Sequence, residues 1–202
     1  MVAGLAAAAG QRPLAWRAVL QPGASLEDHR KAGEARRAIR SERWDFVVLQ
    51  QGPSALPESR VLLRRDAALF ASEIREAGAR PALYMVWPSR SRGFDFDGVS
   101  VSYRTAAREV GGLLLPVGEA WRAAWTRDPK AELYSADGFH PTAEGSYLAA
   151  LVMYEALYRQ SPLGLPGRIP ENGRGASLVD LPPAEARLLQ EAAAEANRRF
   201  GK

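Results

Sequence analysis

The sequence predicts an α/β protein, built as a three-layer α/β/α sandwich around a parallel sheet. Short apolar runs of strand length stand at residues 44–50, 82–87 and 113–117, and segments with helical spacing of apolar residues separate them. Because a helix follows each strand before the next one begins, the connections are crossovers and the strands run parallel. A chain of 202 residues is predicted to form one domain, 1–202.

The first fifty residues are predicted to contain two helices and two strands. The opening apolar run has no Lys or Arg before it and is barely long enough for a signal peptide. We therefore predict that it forms a helix that ends at Gly10. A short strand is predicted at 14–20. Ser25 is expected to cap a helix from Leu26 to about Arg40. The run W-D-F-V-V-L-Q at 44–50 is expected to be a strand buried on both faces.

The rest of the chain alternates helices with the two later strands. The clearest helical spacing lies at 58–78, where Leu63, Phe70 and Ile74 share one face before Gly78 ends the helix. The other predicted helices span residues 103–110, about 119–126, 143–158 and 183–200. Residues 159–181 are rich in Pro and Gly and are predicted to be a surface loop.

Composition excludes several classes of function. The chain has no Cys, which excludes disulfides, thiolate catalysis and Cys-based zinc sites, and its two His argue against a multi-histidine metal centre. We therefore expect no metal and no cofactor. The net charge of +4 comes from basic residues interspersed with acidic ones, so we expect no nucleic-acid partner. No apolar stretch reaches the length of a membrane span, so we expect no membrane partner.

The most informative stretch is the turn before the helix predicted at 143–158. Asp137 and His140 stand three residues apart in it, with Gly138 and Pro141 shaping the backbone. A carboxylate that accepts a hydrogen bond from one imidazole nitrogen leaves the other nitrogen free to act as a general base. Spacing alone fits a second interpretation equally well, in which Asp137 caps the turn and His140 is a polar residue at the helix entry.

The run D-G-F-H-P-T-A-E-G-S-Y-L-A-A, which begins at Asp137, resembles the closing motif of the SGNH (GDSL-type) hydrolases. The resemblance implies a flavodoxin-like sheet and a Ser-His-Asp triad in which Asp137 orients His140 and His140 is the base. It also implies an ester hydrolase acting on a small-molecule or carbohydrate ester. Deacetylation of a carbohydrate is a subclass suggested by family analogy.

The same resemblance points to donors for an oxyanion. In the family a Gly after the second strand and a Gly-x-Asn segment after the third donate hydrogen bonds. Gly23 in Q-P-G-A-S-L matches the first position. At the second position no Asn follows Gly52, and Ser54 stands in its place, so Gln51 or Ser54 is expected to donate instead. From the residues alone, 51–54 also fits a plain turn at the end of a strand.

The nucleophile is the departure from the family pattern. SGNH enzymes carry it in Gly-Asp-Ser or Gly-Asn-Ser at the end of the first strand, and neither string occurs in the 202 residues. Ser25, Ser54 and Ser89 lie near predicted strand ends and are alternatives. We expect instead that the natural protein carries an upstream strand with the Ser, and that the chain as given lacks the first strand and is inactive.

The residues also allow a second class of function and more than one role for several side chains. A non-catalytic remnant that keeps the fold as a binding domain is the rival class of function. Arg90 and Arg92, after the strand predicted at 82–87, are candidates to meet an anionic or sugar substrate, or they are ordinary exposed loop residues. His29 is expected to be structural. The sequence leaves the oligomeric state open and the compartment unknown: cytoplasmic if Met1 is the true start, with an upstream secretion signal as the alternative.

Overall fold

A three-stranded parallel sheet flanked by helices defines the fold. In this computed structural model, which describes residues 1–171 and 176–201, the strands are β1 (Phe46–Leu49), β2 (Arg80–Tyr84) and β3 (Leu113–Leu115). The sheet has the order β1-β2-β3, with Phe46 opposite Arg80 and Ala82 opposite Leu113. The predicted α/β class with a parallel sheet is therefore confirmed.

Helices make up most of the remaining structure. In chain order the α-helices of the described residues are α1 (Val2–Ala8), α2 (Leu26–Ala32), α3 (Glu34–Ser41), α4 (Pro57–Glu76), α5 (Phe96–Glu109), α6 (Val117–Arg127), α7 (Ala143–Tyr158) and α8 (Pro183–Phe200). A short 3-10 helix, Arg90–Asp95, precedes α5. Helices α7 and α8 begin and end at the predicted residues, whereas α5 starts seven residues before the predicted 103–110.

Two compact units share these elements. The first consists of Met1–Ala15, Ser89–Gly93 and Pro116–Lys202, and the second of Trp16–Pro88 and Phe94–Leu115. Each has its own packed interior. The prediction of a single domain over 1–202 stays a prediction.

The second unit contains the sheet and packs α4 and α5 against it. Phe70 and Ile74 of α4 are buried, as predicted from their spacing, and Leu83 of β2 is buried with them. Tyr103 of α5 is completely buried although it carries a hydroxyl. Burying such side chains supplies the main stabilisation of the unit, about 1.5–3 kcal/mol for each large apolar residue.

The first unit is mainly helical. Helices α6, α7 and α8 pack on one another, and α1 packs on α7. Trp121, Tyr147 and Leu151 are fully buried, and Leu189 of α8 is 1% exposed, so α8 turns an apolar face into this interior. The N-terminal end of α7, which follows the Asp137–His140 turn, is therefore fixed by the packing of its own helix.

The prediction of a strand at 14–20 is wrong. Those residues form neither helix nor strand, and Trp16 and Leu20 are 70% and 86% exposed. A strand needs a neighbour to accept and donate its backbone hydrogen bonds. Among the described residues β1 pairs only with β2, so one side of β1 is an open edge and the segment 14–20 is not paired with it.

Two other expectations in the second unit need correction. The helix predicted from Leu26 to about Arg40 is two helices, because Gly33 has φ 75° and so ends α2 in the left-handed conformation that Gly adopts without strain. The strand at 44–50 is not buried on both faces, since Val48 is 38% exposed. An edge strand with an exposed residue replaces the expected interior one.

The predicted surface loop 159–181 contains a small antiparallel sheet. Strands β4 (Arg168–Pro170) and β5 (Ser177–Asp180) pair with each other, and Ile169 and Val179 are 1% and 4% exposed. The burial of these two apolar side chains stabilises the paired strands despite the Pro and Gly content of the sequence around them. Residues 172–175 of the predicted loop lie outside the described residues.

The first turn of α7 leaves no room for a side chain at Gly145. A Cβ there would lie 2.5 Å from the Leu133 carbonyl oxygen and 2.8 Å from the Trp121 ring. We therefore expect Gly145→Ala to lower the free energy of unfolding by about 1–3 kcal/mol, measured by urea denaturation. Gly93→Ala is the matched control, because no atom lies within 4 Å of its added Cβ, and it should change stability by less than about 0.5 kcal/mol. Equal stability of the two variants would contradict this packing.

Candidate active site

The turn that carries Asp137 and His140 is a tight loop closed by backbone hydrogen bonds. Tyr134 and Pro141 form an isolated antiparallel bridge at its base, and the Ser135 N–H donates to the His140 carbonyl at 2.8 Å. Gly138, at the tip, has φ 66°, a left-handed conformation that a side chain would strain. The predicted shaping of the turn by Gly138 is therefore present.

The Asp137 carboxylate is the centre of this loop. Its Oδ1 accepts hydrogen bonds from the Ser135 hydroxyl at 2.7 Å, the Phe139 N–H at 2.8 Å and the His140 N–H at 2.9 Å. Its Oδ2 lies 2.6 Å from His140 Nδ1. These contacts, led by the one with the His140 ring, hold the pKa of Asp137 well below its usual range. The carboxylate is therefore charged over the whole neutral range.

The His140 ring is exposed and has one nitrogen, Nδ1, engaged by Asp137. A charged carboxylate beside Nδ1 favours the tautomer in which Nδ1 carries the proton and donates it, so Nε2 has a free lone pair. The His140 side chain is 70% exposed, and the Phe139 ring meets it edge-on with 5.0 Å between centroids. This arrangement can accept a proton from a group that approaches from solvent.

Helix α7 anchors the loop at its C-terminal end. The Thr142 hydroxyl accepts from the Gly145 N–H at 3.1 Å, which makes Thr142 the N-cap, and it donates to the Glu132 carbonyl at 2.7 Å. The hydroxyl thus connects the helix start to the segment that enters the loop.

Arg90 flanks the loop within the same unit. Its backbone N–H donates to the Gly138 carbonyl at 2.8 Å, and its guanidinium lies 5.3 Å from the centre of the Tyr134 ring. Burial raises the pKa of Tyr134 to about 12, with the nearby Arg90 charge acting in the opposite direction. Tyr134 is therefore a neutral ring beneath a cation.

The predicted oxyanion donors lie in the second unit. Gln51 joins their two segments, because its Oε1 accepts from the Leu26 N–H at 3.1 Å while its Nε2 donates to the Ser54 hydroxyl at 3.3 Å. Gly23 has φ 71° in the turn before α2, and Gly52 lies in the turn after β1. Both glycines are exposed, and no atom lies within 4 Å of a Cβ added at either one. A ligand atom can therefore approach their backbones closely.

Ser54 is a structural part of its turn. Its residue is 7% exposed, its φ is 55°, and its hydroxyl donates to the Gly52 carbonyl at 3.0 Å. The hydroxyl proton is therefore already used inside the turn. The second N–H of the Gln51 amide and the Gly52 backbone N–H are the donors that this turn offers to a ligand.

The other serines considered as nucleophiles have local roles. The Ser25 hydroxyl donates to the Asp28 carboxylate at 2.6 Å and accepts from the Asp28 N–H at 3.2 Å, so the predicted N-cap is confirmed. The Ser89 hydroxyl lies 3.3 Å from that of Ser91. Neither serine has a hydrogen bond to a histidine among the described residues.

Sequence reasoning missed two residues that hold the candidate site. The Tyr103 hydroxyl accepts from the Gln51 N–H at 3.2 Å and lies 2.5 Å from the Gln51 carbonyl oxygen, across 52 residues of sequence. No local pattern could have revealed that contact. The Ser135 hydroxyl bond to Asp137 spans only two residues, so the string Ser-Ala-Asp was a usable signal.

No group of three or more Asp, Glu or His side chains in the described part of the chain is arranged to hold a metal ion. None of the helices within residues 1–171 and 176–201 is both long enough and apolar enough to cross a bilayer.

Two solved structures are similar to this chain. The chain is 32% identical to a candidate SGNH hydrolase from Slackia heliotrinireducens, over 66% of this chain and 79% of that one, with a TM-score of 0.56. This chain belongs to the SGNH hydrolase family. A DUF4886 family protein from Bacteroides uniformis has a TM-score of 0.76 over 100% of this chain and 90% of its own, and its 20% identity shows a shared fold alone. No family model and no curated protein matches the chain.

The buried Tyr103 hydroxyl is expected to stabilise the turn that contains Gln51. Tyr103→Phe leaves the Gln51 N–H and carbonyl without a partner, so we expect the free energy of unfolding to fall by about 1–3 kcal/mol, measured by urea denaturation. Tyr154→Phe is the matched control, because Tyr154 is also buried but its hydroxyl has no hydrogen-bond partner among the described residues. A loss of the same size in both variants would refute a specific role for the Tyr103 hydroxyl.

The lowered pKa of Asp137 gives a prediction for pH. A carboxyl whose folded pKa lies below its unfolded value of about 3.9 stabilises the fold fully above that value, and the contribution disappears as pH falls toward the folded pKa. The difference in urea midpoint between the wild type and Asp137→Asn should therefore be constant above about pH 5 and shrink toward pH 3. A difference that stays unchanged across this range would show that the charge is not what the loop depends on.

Proposed function

We propose that this chain is the greater part of a serine ester hydrolase in which His140 is the general base and Asp137 orients it. The observation that carries the proposal is the 2.6 Å contact between Asp137 and His140 Nδ1 beside an exposed ring. Membership of the SGNH hydrolase family supports the reaction class. An acylesterase is the general form of the proposal, and a carbohydrate O-acetyl esterase is its narrower form.

The proposed reaction has two symmetrical halves. A serine hydroxyl attacks the ester carbonyl while its proton passes to His140 Nε2, and Asp137 stabilises the imidazolium that forms. The tetrahedral intermediate collapses, the C–O bond to the alcohol breaks, and His140 returns the proton to the leaving alcohol. Water then attacks the acyl-serine in the same way, with the proton again passing through His140, and the carboxylic acid is released.

The proposed oxyanion donors are Gly23 and the 51–54 turn. Backbone N–H groups stabilise the negative oxygen of the intermediate without reorganising, and losing one such donor costs about 10²–10³ in rate in other hydrolases. Exposed glycines without neighbouring atoms suit this role because the substrate oxygen can come within hydrogen-bond distance. The Gln51 amide, anchored by Leu26, is the side-chain donor in place of the expected Asn.

The proposed nucleophile is a serine on a strand upstream of Met1. No Gly-Asp-Ser or Gly-Asn-Ser occurs among the 202 residues, and Ser25 and Ser54 hold their own turns. Two further features support an additional strand: β1 has one unpaired edge among the described residues, and the apolar residues Trp16 and Leu20 are exposed. A strand inserted beside β1 would supply partners for backbone groups that otherwise face solvent.

The alternative is a binding domain that keeps the fold without the chemistry. The absence of the serine motif from the chain favours it. The codons before Met1 separate the two proposals, because an in-frame apolar strand ending in Gly-Asp-Ser or Gly-Asn-Ser supports the esterase and its absence supports the binding domain.

Substitution of His140 tests the esterase directly. In the longer protein that includes the upstream strand, His140→Ala should lower kcat/KM for 4-nitrophenyl acetate by about 10²–10⁴, since proton transfer by a positioned base contributes that much. His29→Ala is the control, because it changes the other of the two histidines and should leave the rate unchanged. Full activity in His140→Ala, or no turnover by the longer protein, would overturn the proposal.

A further inference from the structure

Arg90 is a cation beside the candidate active-site loop that has no carboxylate partner among the described residues. It is exposed, yet its backbone is tied to the tip of the loop through the Gly138 carbonyl. Other arginines of the chain are neutralised by ion pairs, such as Arg64 with Glu109 and Arg36 with Glu73 at 2.7 Å. The charge of Arg90 is therefore available to a ligand.

The Arg90 guanidinium rests on the Tyr134 ring, which itself packs against two tryptophans. It lies 5.3 Å from the centre of the Tyr134 ring, within the range of a cation–π contact. Tyr134 stacks on Trp125 with 5.7 Å between centroids and an interplanar angle of 25°, and Trp121 meets it edge-on at 4.8 Å. Trp121 is fully buried, so the stack is fixed to the interior of the unit. An arginine on a rigid support loses little freedom when it binds a ligand.

The donors of Arg90 are mostly unused. A guanidinium has five N–H groups in a planar fork. The Arg90 guanidinium donates one long hydrogen bond, of 3.4 Å, to the Tyr134 carbonyl. The fork matches the two oxygens of a carboxylate, which it binds in a bidentate manner. A single guanidinium beside a neutral Tyr134 balances one negative charge.

We propose that Arg90 binds a carboxylate of the substrate, so that the preferred esters carry an acidic group near the scissile bond. This inference rests on the proposed function, because it assigns substrate class to the same site. Arg90 would hold the substrate by its charge. His140, on the loop to which the Arg90 backbone is hydrogen-bonded, would accept and return the proton. The resulting preference concerns binding and orientation and adds no step to the reaction.

Pairs of esters that differ only in charge test the proposal in the longer protein. One pair has the charge on the acyl side, the 4-nitrophenyl hemisuccinate and the succinamate. The other has it on the alcohol side, the acetyl esters of glucuronic acid and of glucuronamide. In at least one pair we expect the wild type to prefer the carboxylate ester by about tenfold or more in kcat/KM, a size typical of a charge-assisted hydrogen bond.

Substitutions locate the preference at Arg90. Arg90→Gln should abolish it, because kcat/KM should fall about tenfold more for the carboxylate ester than for the neutral ester, and Arg90→Lys should keep part of it, since a lysine keeps the charge without the fork. Arg92→Gln, in the same 3-10 helix, is the matched control and should keep the preference. Absence of a preference in both pairs, or its survival in Arg90→Gln, would overturn the inference and leave the esterase proposal intact.

A binding experiment on the chain itself does not depend on turnover. Since the chain has two histidines, their ring C–H signals in an NMR spectrum report on His140 and use His29 as the internal reference. Sodium succinate at constant ionic strength should shift the His140 signal in the wild type and not in Arg90→Gln, and the His29 signal should stay in place in both proteins. If no ester is hydrolysed, the esterase proposal fails, and this shift still tests whether Arg90 binds a carboxylate. No shift, or a shift with phosphate but not succinate, would overturn carboxylate binding.

Discussion

One carboxylate organises the candidate active site. Asp137 accepts three hydrogen bonds at Oδ1 and meets the His140 ring at Oδ2, so a single side chain both closes the loop and aims the imidazole. Because the same group does both, the loop geometry and the orientation of His140 cannot change independently. Helix α7, capped by Thr142, holds the loop in turn, and the close packing of Gly145 fixes the start of that helix.

The turn after β1 depends on a different kind of support. Its backbone is held by Tyr103 and by Ser102, whose hydroxyl lies 2.7 Å from the Ser54 carbonyl oxygen, and both residues come from α5. Burial in α5 raises the pKa of Tyr103, so its hydroxyl stays protonated and can donate at any ordinary pH. The backbone of this turn is therefore held by side chains of α5 and not by its own sequence alone.

The three-stranded sheet has an edge, along β1, that no other strand of the described residues covers. Among the described residues β1 has one unpaired edge, and the segment that was expected to form a strand at 14–20 exposes Trp16 and Leu20. A free strand edge and exposed apolar residues are costly features that soluble proteins usually cover. In this chain the edge of β1 and these two apolar side chains are therefore surfaces without a strand partner among the described residues.

The sequence by itself determined the α/β class, the limits of α7 and α8 and the Ser25 cap, and it placed Asp137 and His140 in one turn. The helix limits, the cap and the turn depend on partners within a few residues, because helices and tight turns satisfy their hydrogen bonds locally. The α/β class follows from the alternation of strand and helix patterns along the chain. Only the tertiary structure decided that 14–20 is not a strand, that β4 and β5 pair within the expected loop, and that Tyr103 supports Gln51. Those features require partners far along the chain, and a local pattern of residues carries no information about whether such a partner is present.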